Sequence, residues 1–215
     1  MQDWDEDQLT FRDTGQQCER FRHDEVLEPG QSLRLAGLTW QVIGAAGHDP
    51  DMLVLYCASH RLLISSDALW ENGFGILFPE LDGEPAIEAQ RSILRRLGDL
   101  EVSRILPGHG PMFTDLGGAL QRAHSRLDHF ERDPAGHARY AVKALVKFRL
   151  LERERMRIED AVNEVAQVPL LARTNARHLQ MSAEALGQWA IEALIAAGAA
   201  CREGDTLINP PPVRP

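Results

Sequence analysis

Apolar and polar positions alternate with the period of a strand between Ser32 and Asp67. Leu33-Arg34-Leu35 and Leu38-Thr39-Trp40-Gln41-Val42-Ile43 flank Ala36-Gly37, which predicts a hairpin. Met52 to Cys57 predicts a third strand, Ala58-Ser59-His60-Arg61 a turn, and Leu62-Leu63-Ile64 a fourth strand ending at Ser65-Ser66-Asp67. The period then changes. Ile87, Ile93, Leu94 and Leu97 recur at helical spacing, with Pro85 at the first helical position and Gly98 as the stop. Val102 to Leu106 is a further short strand, and Thr114 is the expected N-cap of a helix reaching about Arg132. Four strands, a helix, a strand and a helix define an α/β (α+β) class.

Beyond Asp133-Pro134-Ala135-Gly136 the pattern becomes almost wholly helical. Amphipathic segments near 137–154, 157–167 and 182–197 are broken by Met156, by Pro169 and by the polar stretch before the cap Ser182. Two short strands are expected around Glu203-Gly204-Asp205, so this part reads as a winged-helix-like unit of three helices and a β-wing. The expected plan is an acidic N-terminal segment over 1–30, a mixed domain over 31–134, a helical winged-helix-like domain over 135–209 and a Pro-rich tail over 210–215.

Composition narrows the function classes. A chain of 215 residues, 44% of them hydrophobic, can bury a real core. No apolar run reaches the ~20 residues of a membrane span, and the acidic start is unlike a leader peptide, so a cytoplasmic protein without membrane contact is expected. Cys18, Cys57 and Cys201 lie far apart without a CxxC pair, which indicates neither a disulfide framework nor a zinc knuckle. The net charge of −9 argues against a large phosphate-binding surface. The basic stretch from Arg139 to Arg157 reads as a solvated helix face with partners such as Glu152 and Glu154. The helix from Ser182 to Ala197 carries Glu184 and Glu192 and no Lys or Arg, unlike a helix that reads a DNA groove.

Three loop phrases carry candidate chemistry: Gly47-His48-Asp49-Pro50, Ser65-Ser66-Asp67-Ala68-Leu69-Trp70 and Pro107-Gly108-His109-Gly110-Pro111. Each stands where an apolar run meets a loop. A carboxylate at the end of a buried strand is costly unless a metal, a hydrogen bond or a cation compensates it, which singles out Asp67. Two imidazoles and one carboxylate make a nitrogen and oxygen donor set that suits zinc, with iron or manganese as alternatives. Trp70, Asn72 and Phe74 follow with Gly73 between them, either as a loop packed over the core or as the wall of a substrate pocket. His124, Asp128 and His129 read as a solvated helix face.

The order Gly-His, strand, Ser-Ser-Asp-Ala-Leu, then Pro-Gly-His-Gly resembles the second half of the metallo-β-lactamase superfamily, over roughly residues 30 to 125. The resemblance implies half of an αββα sandwich, with His48 on one metal, Asp67 bridging two and His109 on the other. It implies a hydrolase of glyoxalase II-like type, in which metal-bound hydroxide attacks an ester, thioester or lactam of a small acyl substrate. The helical end resembles the winged-helix-like extension of one branch of these proteins.

The family's HxHxDH motif, which supplies further ligands and the water-orienting aspartate, has no counterpart among His23, His48, His60, His109, His124, His129, His137 and His178. The chain is therefore expected to be the C-terminal portion of a longer hydrolase, with impaired activity and one metal or none. A homo-oligomer through an exposed sheet face or the C-terminal helices is also expected. The alternative is a non-catalytic remnant acting as a protein- or nucleic-acid-interaction module.

Overall fold

The sheet forms where the alternation is strictest. In the computed structural model, which describes residues 12–16 and 22–211, β1 (Ser32–Leu35) and β2 (Leu38–Gly44) pair antiparallel. Their turn, Ala36-Gly37, has positive φ at both residues, the geometry whose twist suits a two-residue hairpin. β3 (Leu53–Cys57) and β4 (Leu62–Ser66) continue the antiparallel meander, and β5 (Arg104–Pro107) joins β4 in parallel. The strand order is β1-β2-β3-β4-β5. A parallel neighbour needs a long crossover, and α1 (Phe78–Asp82) and α2 (Ala86–Gly98) occupy it. α3 (Leu116–Arg132) follows β5. Most of the acidic start, including Cys18, and the tail from residue 212 lie outside the described residues.

Register sorts the side chains into two faces. Ile43, Val54, Tyr56, Leu63 and Ile105 share one face and are buried. With Ile93, Leu94 and Leu97 of α2 and Ala119, Ala123 and Leu127 of α3 they form the core of this unit, which spans His23–Asp133. On the other face Trp40 and Val42 are buried, but Leu55 and Ile64 are half-buried. Leu106, in the same row, is 39% exposed and Leu35 is 49% exposed.

A second compact unit comprises the chain from Pro134 together with the described residues before His23. It contains α4 (Pro134–Arg153), α5 (Ile158–Gln167), α6 (Pro169–Thr174), a π-helical turn (Asn175–Leu179) and α7 (Ala183–Ala196). A small antiparallel sheet in the order β6-β8-β7 is built from β6 (Arg155–Arg157), β7 (Cys201–Glu203) and β8 (Thr206–Ile208). α7 packs against α4 and α5 through Leu186, Ala190, Ile191 and Leu194. The carboxylate of Asp13 accepts two hydrogen bonds from Arg173, at 2.9 and 2.6 Å.

Several elements differ from the sequence reading. Met156 separates two helices as expected, but it does so within a strand, β6, opposite Leu207 and buried. The N-cap of α3 is Asp115 and not Thr114, because the Asp115 carboxylate reaches the Gly118 N–H at 2.8 Å. Pro85 precedes α2 as its N-cap, and α1 lies in a stretch for which the sequence pattern predicts no element. Pro169 separates two helices by occupying the first turn of α6, where its missing N–H costs no helical bond.

Candidate metal centre

Strand direction explains why three distant segments meet. β3 is antiparallel to both β2 and β4, and β5 is parallel to β4, so β2, β4 and β5 run the same way. The loops that follow these three strands open on one edge of the sheet. They carry His48, Asp67 and His109.

Each loop is held by its own short-range bonds. After β2, Ala45 N–H donates to the Met52 carbonyl at 2.8 Å, and the Asp49 carboxylate accepts from Asp51 N–H at 2.8 Å. His48 Nδ1 lies 2.5 Å from the carbonyl oxygen of Ile76. A carbonyl only accepts, so Nδ1 carries the proton and, in the neutral ring, Nε2 keeps its lone pair. After β4, the chain turns at Ser66 with φ of 47°, a strained value for a residue with a side chain. Three bonds hold that turn: Ser66 Oγ donates to Leu53 O at 2.8 Å, Ser65 Oγ to Leu69 O at 2.6 Å, and the buried Gln90 Nε2 to Ala68 O at 2.7 Å. After β5, Ile105 and Phe113 exchange backbone bonds of 2.8 and 3.1 Å and close the His109 loop at its base.

Two glycines leave room for the site. A Cβ on Gly75 would stand 2.7 Å from the His48 ring and 2.9 Å from Asp67 Cβ, and one on Gly108 would collide with Asp67 Oδ1 and the Ser66 backbone. Gly108 N–H also donates to the Ser66 carbonyl at 2.8 Å, so loop and strand end are in direct backbone contact.

The carboxylate of Asp67 lies between the imidazoles. His48 Nε2 is 3.6 Å from Oδ2, and His109 Nε2 is 3.7 Å from Oδ1. Both separations are too long for a hydrogen bond. Two donors that share a tetrahedral zinc, at about 2.0–2.2 Å each, stand about 3.4 Å apart. A lone pair facing a carboxylate oxygen is repulsive unless a cation or proton intervenes. By this test the donors suit a metal, and Asp67 would offer one oxygen on the His48 side and the other on the His109 side. The three do not form a single three-donor site. Among the described residues no group of three His, Cys, Asp or Glu side chains is arranged around one ion. Asp67 and His48 side chains are each 25% exposed, whereas His109 is 61% exposed.

The aromatic candidates divide. Trp70 is at the centre: its indole N–H donates to Asp67 Oδ1 at 2.9 Å, and its ring meets that of His109 edge-on at 5.1 Å. Phe74 is not a pocket wall. It is 1% exposed and packs edge-to-face on Phe130, 6.0 Å between centroids, because the chain runs inward at Gly73-Phe74-Gly75. Asn72 is exposed, and its carbonyl accepts from Arg126 at 3.4 Å. Asp128 pairs with Arg91 at 2.9 Å on the outer face of α3. Sequence reasoning passed over Ile76 and Gln90, whose roles are made by contacts 28 and 22 residues away along the chain.

Comparison with known proteins bears on the family of the chain. The family model described as the metallo-beta-lactamase superfamily matches residues 3–109, starting upstream of residue 30, where the motif reading began. The chain thus carries a metallo-beta-lactamase superfamily domain over residues 3–109. A curated relative, the beta-lactamase-like protein 2 homolog of Caenorhabditis elegans, is 25% identical over 154 residues, which are 72% of this chain and 45% of that protein. The chain thus spans less than half the length of that relative. Among solved structures, a metallo-beta-lactamase family protein from Thermus thermophilus is 20% identical with a TM-score of 0.45, covering 93% of this chain and 62% of that one. A beta-lactamase domain protein from Burkholderia ambifaria is 21% identical with a TM-score of 0.46, covering 91% and 55%.

Proposed function

We propose that this chain is a metal-dependent hydrolase-type protein that acts on a small acyl compound, an ester, thioester or lactam, with weak metal retention and reduced activity. The observation that carries this reading is the placement of the two Asp67 oxygens, each facing a separate imidazole beyond hydrogen-bond reach. His48 and Asp67 Oδ2 would hold one ion, and His109 and Asp67 Oδ1 the other. A bound zinc ion supplies Lewis acidity, lowering the pKa of water and polarising a carbonyl. The chain's own contribution is orientation. The Ile76 carbonyl fixes the His48 tautomer, and the turn at Ser66 sets the direction of the carboxylate.

Two protein donors per ion are half of a tetrahedral shell, and no HxHxDH motif supplies the rest. Weak metal retention follows from that shortfall. The acidic balance favours a small acyl substrate over a polyanion. No described helix is long and apolar enough to cross a membrane, and a cytoplasmic location is part of the proposal. The missing motif also favours a second reading, a non-catalytic module. The two part on one experiment: zinc-loaded protein assayed against a chromogenic ester, a thioester and a lactam. Zinc-dependent turnover of any of them, lost in Asp67→Asn, is the expected result. Bound zinc without turnover favours the module.

A further inference from the structure

We infer that Trp70 is a positioning residue for Asp67, fixing the rotation of its carboxylate so that the two oxygens are divided between His48 and His109. The inference rests on the metal reading above but has its own geometry.

A carboxylate at the mouth of a loop can rotate about its Cβ–Cγ bond, and a metal pair needs that rotation stopped. Among the described residues the Asp67 side chain accepts one hydrogen bond, from Trp70 Nε1 to Oδ1 at 2.9 Å. Indole is donor-only, so it marks one oxygen without competing for a metal. Trp70 is itself anchored. Its backbone N–H donates to Gly73 O at 2.7 Å, closing the turn that Trp70 opens. Arg122 of α3 donates to the Glu71 carbonyl at 2.8 Å, and Arg126 to that of Asn72 at 3.4 Å. The Arg126 guanidinium also lies over the rings of Phe74 and Phe130, at 5.8 and 5.6 Å. Two arginines one helical turn apart thus grip both carbonyls at the tip of the turn that aims the indole. The edge-on contact of the indole with His109 sets that ring against the same oxygen.

Nitrogen-resolved NMR of the full chain tests the bond first, without metal. The chain has four tryptophans, Trp4, Trp40, Trp70 and Trp189, and the indole signal absent from Trp70→Phe identifies Trp70. In Asp67→Asn that signal should shift and exchange faster with solvent. An unchanged signal overturns the inference. Zinc titration of folded Trp70→Phe should then show affinity roughly 10–100-fold below that of the wild type, the range for loss of a group that orients a ligand. Equal affinity overturns the inference and leaves the metal reading standing. Wild-type protein that takes up no zinc contradicts the metal reading, and the metal-free indole signal then decides the Trp70–Asp67 bond by itself.

Discussion

At the scale of single residues, close approach decides more than residue chemistry. Asp67 and His48 face each other across the space that Gly75 leaves, and Gly108 leaves room for Asp67 Oδ1. Gly108→Ala should therefore destabilise the His23–Asp133 unit by about 1–3 kcal/mol, the usual cost of forcing an extra carbon into a packed place. Urea denaturation followed by tryptophan fluorescence measures it, and an unchanged midpoint would show that the loop yields freely. His48, Asp67 and His109 were legible in the sequence because apolar runs end on them and glycine or proline marks the loops. The direction of Phe74 was not legible. An aromatic between two glycines fits a wall or a core equally well until Phe130, 56 positions on, is seen against it.

At the scale of elements, the long, strictly patterned segments were legible and the short ones were not. β2, β3 and β4 follow their alternation, and α2 follows its apolar spacing. α1 has five residues and β6 three, too few to show a period. Met156 reads only as a break between helices, and its strand exists only through pairing with β8, about 50 positions later. α2 also acts on the site. Its buried Gln90 holds the Ala68 carbonyl directly after Asp67. Gln90→Leu keeps the volume but leaves that carbonyl unpaired, and should cost about 1–3 kcal/mol. Thermal or urea unfolding of the variant gives the value, and a loss near zero would mean that the Ala68 carbonyl finds another donor.

At the scale of the whole molecule, the outstanding feature is the sheet face carrying Leu35, Leu55, Ile64 and Leu106. It is apolar, and two of its leucines are well exposed, at 49% and 39%. Apolar surface of this kind favours association. Light scattering should find the wild type self-associated in a concentration-dependent way, and Leu35→Lys should shift it towards monomer. A wild type that stays monomeric at high concentration would show this face to be sufficiently covered. The helical unit follows its amphipathic pattern, and its α7 turns an apolar face to α4 and α5.

The proposed metal site at Asp67 joins these scales, because the strand ends, the loops and the Asp67 carboxylate all bear on it. Isothermal titration of the full chain with zinc, compared with Asp67→Asn, tests it most directly. Weak uptake by the wild type, lost in Asp67→Asn while the fold is kept, is the expected result. Uptake that is unchanged by Asp67→Asn, or no uptake by the wild type, would contradict it.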